Sequence, residues 1–494
     1  MADQTARLRR LLRWAPLAAT AACGVAPATI PPGQVVGAAP IADAGDDAGP
    51  PPVLTPATIR ALQALSPASL PGPPPDVSNT HADDQAAAAF GQQLFFDTGF
   101  SGALLDSDNI GDAHSLGTVG QTGKVSCSKC HVPNTGFLDT RSVRQTVSLA
   151  SGWGRRRAPS LLDVGQAKLI MWDGRHDALY NQPFGALENG VEMNSSRLYA
   201  AEQIYKRYRA TYEAVFGPIP VPLDDPSRFP QLDGTTTGCR QLSTDVHGIS
   251  VGVNCHGVPG DAAEFDGLQT QQDRDEVTRV WVNAGKAIGA YERLLTCGSG
   301  RFDQWMHGQQ GALTPSEQRG AALFVGQRED GSTMVGCDSC HSGPFLTDEG
   351  FHNVGMQPTG VGPAGTFLDI PDDGELDGLT QALSDPLNVR GAFSDGDDGR
   401  LPQTVPPGAN GAFRTPSLRC VALRPTFMHT GQLRTLANVI TFFDNGGSPS
   451  GFPGTSEISP LNLTAQERAD LVAFLLTLTG PGANAALQQM PPLP

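Results

Sequence analysis

Basic residues are in short supply. Lys and Arg number 34 against 50 Asp and Glu, a net charge of −16. A chain so acidic lacks the basic face that phosphate backbones require, so nucleic acid is excluded as a partner. An acidic surface suits a basic partner protein instead, through electrostatic steering, although it also serves plain solubility. Long apolar runs are missing too: Trp14–Ala22 is too short to span a bilayer, and no later segment is apolar for long enough. Strand patterns are sparse, which argues against an all-β fold. Gly (58) and Pro (41) are in surplus, and they point to long irregular loops.

The N-terminus carries Arg7, Arg9, Arg10 and Arg13 ahead of the short apolar stretch, the layout of an export signal. Cys23 follows Thr20-Ala21-Ala22 and precedes Gly24, which resembles a lipoprotein cleavage site except that Thr20 stands where an aliphatic residue is expected. The expected location is periplasmic, with a lipid on Cys23 as the one link to a membrane. Residues 1–23 are read as the signal and 24–82, rich in Ala, Pro, Gly and Asp, as a flexible tether. Helical periodicity begins at about 83. Val277, Trp281, Ala284, Ile288, Tyr291 and Leu295 recur at three- and four-residue spacing, a helix with one buried face. Thr314-Pro315-Ser316-Glu317 and Thr464-Ala465-Gln466-Glu467 are capping boxes that open helices. Residues 103–123 and 357–411 read as long polar loops, and 217–270 as a turn-rich insertion.

Nine cysteines suit an oxidising compartment. Four fall in two identical patterns, Cys127-Ser128-Lys129-Cys130-His131 and Cys337-Asp338-Ser339-Cys340-His341. CxxCH is the attachment signature of c-type haem: two thiols add across the two vinyl groups of one porphyrin, and the next residue reaches the iron. A zinc site would use the Cys pairs without needing the adjacent His. His131 and His341 are therefore the expected iron ligands, with Cys127, Cys130, Cys337 and Cys340 as anchors for two covalently bound haems. Setting Cys23 aside, four cysteines remain, enough for two disulfides. Of the three pairings we predict Cys239–Cys255, which closes a short loop, and Cys297–Cys420.

Beyond these motifs, residues 85 to 480 resemble the bacterial di-haem cytochrome c peroxidases and the related MauG enzymes. The resemblance rests on Gln93-Leu94-Phe95-Phe96-Asp97, Ala158-Pro159-Ser160-Leu161, Trp172-Asp173-Gly174-Arg175, Gly190-Val191-Glu192-Met193, Ala287 to Arg293, Phe413 to Arg419 and Met428-His429-Thr430-Gly431, in matching order and spacing. It implies a mainly α fold of two cytochrome-c-like haem domains with long irregular loops, taken here as 83–296 and 297–485. It implies peroxide cleavage at the N-terminal haem, with Glu192 as the distal acid–base, Gln182 as a polar group that holds peroxide, and Trp172 as the electron relay between haems. Hydrogen peroxide is the implied substrate. The implied partner is a small c-type cytochrome or cupredoxin donor, or else a protein substrate of the MauG kind. A bare electron-transfer cytochrome is the reading from another class, and Glu192 and Gln182 speak against it.

The chain departs from the family pattern in three places. Where classical members carry a distal His, this chain has Val147, and no His lies between His131 and His176. The first iron is thus expected to be open without activation, as in MauG. Where the family places Met or Tyr near the second haem, this chain has Phe443, which cannot bind iron, and the expectation is either a substitute from Met428, His429 or Met356 or a five-coordinate iron. Where the family's calcium takes an Asn side chain, this chain has Arg157, with Arg424-Pro425-Thr426 around the other ligands. A guanidinium has no lone pair and repels a cation. Calcium is therefore expected to be absent, and Arg157 either fills its place or points to solvent.

Overall fold

The computed structural model describes residues 49–141, 147–245, 249–357, 360–361, 367–368 and 372–494. The chain divides into Met1–Asp43 and Ala44–Pro494, and every described residue belongs to the second unit. The expected signal, Cys23 and residues 24–48 of the expected tether lie outside the described residues.

Helices dominate. In chain order they are α1 (Pro56–Leu65), α2 (Gln85–Phe96), the single turn α3 (Cys127–Cys130), α4 (Gln182–Glu188), α5 (Arg197–Gln203), α6 (Arg209–Phe216), α7 (Gln271–Glu292), α8 (Arg301–Met306), α9 (Pro315–Phe324), α10 (Glu375–Ser384), α11 (Leu436–Asp444) and α12 (Ala465–Leu476). A π-helical turn, Ile204–Tyr208, joins α5 to α6. The strands form three two-stranded antiparallel sheets among the described residues: β1 (Gln241–Thr244) with β2 (Ser250–Val253), β3 (Phe351–His352) with β6 (Phe413–Arg414), and β4 (Gly360–Val361) with β5 (Phe367–Leu368). No described helix is long and apolar enough to cross a membrane.

The architecture repeats around two helix pairs. Asp84 caps α2 by accepting from Ala86 N at 2.7 Å. The apolar face of α2 (Phe90, Leu94, Phe95) packs on α7, which Thr270 caps and which buries Val277, Val280, Trp281, Ala284, Ala287 and Ile288. The two helices cross at Gly91, where a Cβ would stand 1.9 Å from Ala287 O. Any larger residue there would force them apart. In the second pair, both capping boxes form. Thr314 N donates to Glu317 Oε2 and Thr464 N to Glu467 Oε2, each at 2.8 Å. The pair α9–α12 again crosses at a glycine, since a Cβ on Gly320 would meet Asp470 O at 2.0 Å. Beside this crossing Arg319 Nε donates to Asp470 Oδ2 at 2.9 Å, with Ser316 Oγ on Oδ1 at 2.6 Å, so the buried charges are hydrogen-bonded. In each half the first helix of the pair leads toward a CxxCH segment.

Three expectations need correction. Residues 49–82 are not a loose tether. Thr55 caps α1 with Pro56 at its first position, and Leu62 and Leu65 enter the second core beside Phe302, Phe324 and Phe474. Asn79 Nδ2 then donates to Lys286 O at 3.0 Å, and Arg293 Nη1 to Pro74 O at 2.9 Å. The segment's composition hid two apolar anchors that suffice once a groove receives them. Second, the loop read over 357–411 contains α10, with Leu379 and Ala382 buried. Third, packing does not respect a break at residue 297. Leu379, Leu387, Val389 and Leu401 belong to the first core with Phe90 and Trp281, whereas α1 belongs to the second.

Both predicted disulfides are present. Cys297–Cys420 is buried within a third cluster, formed by Phe95, Phe96, Phe137, Tyr291 and Leu295, and it closes a separation of 123 residues. A link across so long a loop restricts the unfolded chain strongly. Replacing both cysteines by Ala should lower the unfolding free energy by about 2–5 kcal/mol. Urea denaturation followed by circular dichroism measures this, and an unchanged midpoint would show the link to be passive.

Candidate active site

The two CxxCH segments fold alike. α3 turns once, so that His131 N donates to Cys127 O at 2.8 Å, and His341 N donates likewise to Cys337 O at 2.9 Å. Each imidazole then bonds through Nδ1 to a backbone carbonyl: His131 to Phe137 O at 3.2 Å, and His341 to Leu346 O at 3.0 Å. Phe137 and Leu346 both sit in the left-handed region, φ 58° and 51°, a conformation that costs free energy in a bulky residue. With the proton held on Nδ1, Nε2 is the nitrogen left to bind a metal.

Cys127, Cys130, Cys337 and Cys340 are unpaired, whereas the other four described cysteines are bonded. The thiols and imidazoles of both motifs are half-buried, so each keeps accessible surface. Burial pushes the Cys130 and Cys337 thiols up to about 12 and holds His341 down at about 4, the neutral form that ligates. Beside each motif an arginine keeps buried nitrogens without a partner. Nε and Nη1 of Arg141 are bare, while its Nη2 lies 3.7 Å from Cys130 Sγ and donates to Asp139 Oδ2 at 3.0 Å. Nε of Arg424 is bare, and its charge bears on His341. Unpartnered buried guanidinium nitrogens call for an anionic group. Two free thiols, an oriented imidazole and a guanidinium with unfilled donors fit a c-type haem, with its two carboxylates, at both motifs. A second metal reading is weaker. Cys340, Asp348 and His352 converge within 4.8 Å, but His352 already spends both ring nitrogens on Glu457 (2.7 Å) and Asp348 (2.9 Å).

Glu192 lies close to the first motif, near enough for its charge to act on Cys127 and Cys130. α4 ends at Glu188, and the following turn is organised by its C-cap, Asn189. Asn189 Oδ1 accepts from Val191 N at 3.1 Å, its carbonyl accepts from Glu192 N and Asn194 N at 3.0 Å, and its Nδ2 donates to Glu192 Oε1 at 3.0 Å. The outer side is held by Ser151 N on Glu192 O (3.0 Å) and Gly152 N on Val191 O (2.9 Å). Burial raises the Glu192 carboxyl above its ordinary value, and the nearby Arg175 charge and the Asn189 bond pull it partly back. Gln182 opens α4, half-buried, with no hydrogen bond on its side chain; it does not bond to Glu192. Val147 is fully buried with Leu149 and Trp153. His176 is buried too, its pKa lowered to about 3 by desolvation.

Trp172 sits where the two halves meet. Its Nε1 donates to Arg157 O at 2.8 Å, and its carbonyl accepts from Arg414 N of β6 at 2.8 Å. Gly174, at φ 74°, lets this turn pass Phe351, since a Cβ would lie 2.7 Å from the ring. Asp173 binds Arg156 and, at 3.1 Å, Arg175. Asp372 takes Arg156 from the other half at 2.6 Å. His429 stacks on Phe413 at 3.7 Å and 12°, its Nε2 3.8 Å from Asp372, and burial holds it at about 4. Its carbonyl accepts from Arg157 N at 2.8 Å. Arg157 is 4% exposed, so the version in which it points to solvent is set aside. Met356 is buried, Met428 half-buried at φ 69°, and Phe443 packs edge-on against Phe442. Sequence reasoning missed Asn189 and Arg141, and it tied Arg424 to the calcium position without seeing its place beside the second motif. Only Asn189 offered a signal, an Asn three residues before a Glu in a Gly-containing turn.

Residues 85–233 match the family model described as di-haem cytochrome c peroxidase. The chain is 28% identical over 442 residues to the cytochrome-c peroxidase IdrP1 of Denitromonas iodatirespirans, covering 87% of this chain and 91% of the relative. It is 27% identical over 413 residues to the methylamine utilization protein MauG of Methylorubrum extorquens, covering 82% and 81%. Among solved structures it superposes on a MauG-like protein associated with microbial copper homeostasis with TM-score 0.53 at 24% identity, over 86% of this chain and 98% of that one, a likeness of fold.

Intact anchors at both motifs predict two covalent haems per chain and one after Cys337→Ala/Cys340→Ala. A pyridine haemochrome assay that finds one haem in the unmodified protein would contradict this.

Proposed function

The chain belongs to the di-haem cytochrome c peroxidase and MauG family and is an oxidoreductase, and on that premise we propose that it reduces hydrogen peroxide with electrons from a small periplasmic redox protein. The observation that carries this reading is the half-buried Glu192 carboxyl, held by Asn189 Nδ2 and near enough to Cys127 and Cys130 for its charge to act on both thiols. When bound, the haem of the first motif supplies the iron at which peroxide is reduced, and that of the second supplies electron storage. The net change is H2O2 with two electrons and two protons giving two waters. Glu192 takes the proton from one peroxide oxygen and returns it to the departing oxygen, which a carboxyl with a raised pKa can do in both directions. Asn189 holds Oε1, which leaves Oε2 to take the proton. The free amide of Gln182 offers hydrogen bonds that orient the substrate. Trp172, bonded to both halves, supplies the aromatic path between the haems. The acidic surface favours a basic donor, and an export signal with a lipidated Cys23 would hold the enzyme at the periplasmic face of a membrane.

A second reading is favoured by Val147. With Val147 in place of a ligating His, a haem held by the first motif would need no His displaced before it met peroxide, which would suit peroxide-driven oxidation of a partner protein. The MauG relative carries that name. Steady-state turnover with peroxide and a reduced cytochrome donor separates the readings, because an oxidase of partner proteins turns over poorly with the cytochrome alone.

Two results are expected. Glu192→Gln keeps both haems and loses about 100-fold or more of peroxide turnover. In the unmodified enzyme turnover falls as pH drops through the raised Glu192 value, because the protonated carboxyl cannot accept, and this acid limb vanishes in the variant. Turnover that survives unchanged removes Glu192 from the mechanism. We further infer that Arg157, buried in the place of the family's calcium ligand, fills that place with its own charge and makes a metal unnecessary. Activity should therefore ignore EDTA, and loss on chelation with recovery on added calcium would contradict that assignment.

A further inference from the structure

The insertion over 217–270 contains no group of the proposed chemistry, yet it packs directly against the turn that carries Glu192. β1 and β2 pair from Gln241↔Val253 to Thr244↔Ser250, and the Cys239–Cys255 disulfide closes the base of this hairpin. Its inner face leaves no room for a side chain on the turn. A Cβ on Gly190 would lie 2.7 Å from Gly252 Cα and 3.1 Å from Cys239 Sγ. Leu242 reaches over Gly152, where a Cβ would stand 2.9 Å from its Cδ1. Gly152 is the residue whose N–H holds Val191 O, and its neighbour Ser151 holds Glu192 O. At the far end of the turn Asn194, fully buried at φ 47°, accepts from Cys239 N at 2.6 Å and donates to Cys239 O at 3.2 Å and Ala103 O at 2.8 Å. Gly190 and Asn194 flank Glu192, and the same cysteine touches both.

We propose that the Cys239–Cys255 hairpin is the positioning element of Glu192, with Asn194 and Cys239 as positioning residues. The proposal rests on the reading of Glu192 as the acid–base. A hairpin of two four-residue strands is marginal alone, so the disulfide at its base is what keeps it seated. Seated, it excludes water from the outer side of the turn and fixes where the carboxyl stands. Displaced, it admits water, which lowers the carboxyl's pKa, and it loosens the geometry, to which proton transfer is steeply sensitive.

The experiment uses the two-haem protein in three forms: Cys239→Ser/Cys255→Ser, Asn194→Asp, which keeps the disulfide but loses both donations, and Glu192→Gln as reference. Hydrogen exchange at the Ser151 and Gly152 amides, kcat against KM for peroxide, and the pH profile are read after haem content is confirmed. In the first two forms exchange should quicken about 10-fold or more, kcat should fall about 10-fold or more with KM little changed, and the acid limb should move to lower pH. A purely structural staple would lower the melting temperature and leave the acid limb in place, and that result overturns the proposal. Should the cysteine pair fail to fold, the Asn194→Asp limb decides alone. A Glu192→Gln form that still turns over ends the acid–base reading and this inference with it. An inactive Glu192→Gln form alongside unmoved limbs in the other two ends the inference only.

Discussion

The hydrogen bond from the imidazole of each CxxCH motif to a backbone carbonyl is the constraint around which this molecule is arranged. His131 to Phe137 O and His341 to Leu346 O hold the proton on Nδ1 and so leave Nε2 as the nitrogen free to take a ligand. Each carbonyl can point inward only because its residue accepts a left-handed backbone, and that conformation is held by burial of Phe137 and Leu346 among the clusters behind them. The helix pairs α2–α7 and α9–α12 supply that packing. Their close crossings at Gly91 and Gly320 are conditions for the two motifs to keep their shape.

The halves are joined by groups that would be costly to expose or separate. Arg156 lies between Asp173 and Asp372, and both carboxylates are held well below the ordinary range, Asp173 at about 2 despite the burial that opposes it. Arg157, His429 and Trp172 continue the seam through backbone bonds, and Cys297–Cys420 closes it covalently. Removing one partner of such a buried pair strands a charge and costs more than the pair itself contributes. The Glu192 turn is built on the opposite principle. Its rigidity comes from a neighbouring asparagine, an adjacent strand-like segment and a hairpin wall, while the carboxyl itself stays lightly bonded and able to exchange a proton.

Local chemistry was legible in the chain itself. The two CxxCH patterns, the capping boxes at Thr314 and Thr464, the α7 stripe and the even number of remaining cysteines each state their meaning within a few residues, because thioether attachment, helix capping and one-sided burial are short-range constraints. What the sequence alone could not settle were contacts between residues far apart in it. The 49–82 segment looked loose because its two anchors, Leu62 and Leu65, acquire value only in a groove made by residues beyond 300. α10 was lost in a polar stretch because its buried side faces a core built by the other half. The role of Asn194 toward Cys239, and of Arg141 and Arg424 beside the motifs, depended on close approach between distant segments. Tertiary packing decided these points, because a hydrogen bond or an excluded water exists only once the chain has brought both sides within a few ångströms.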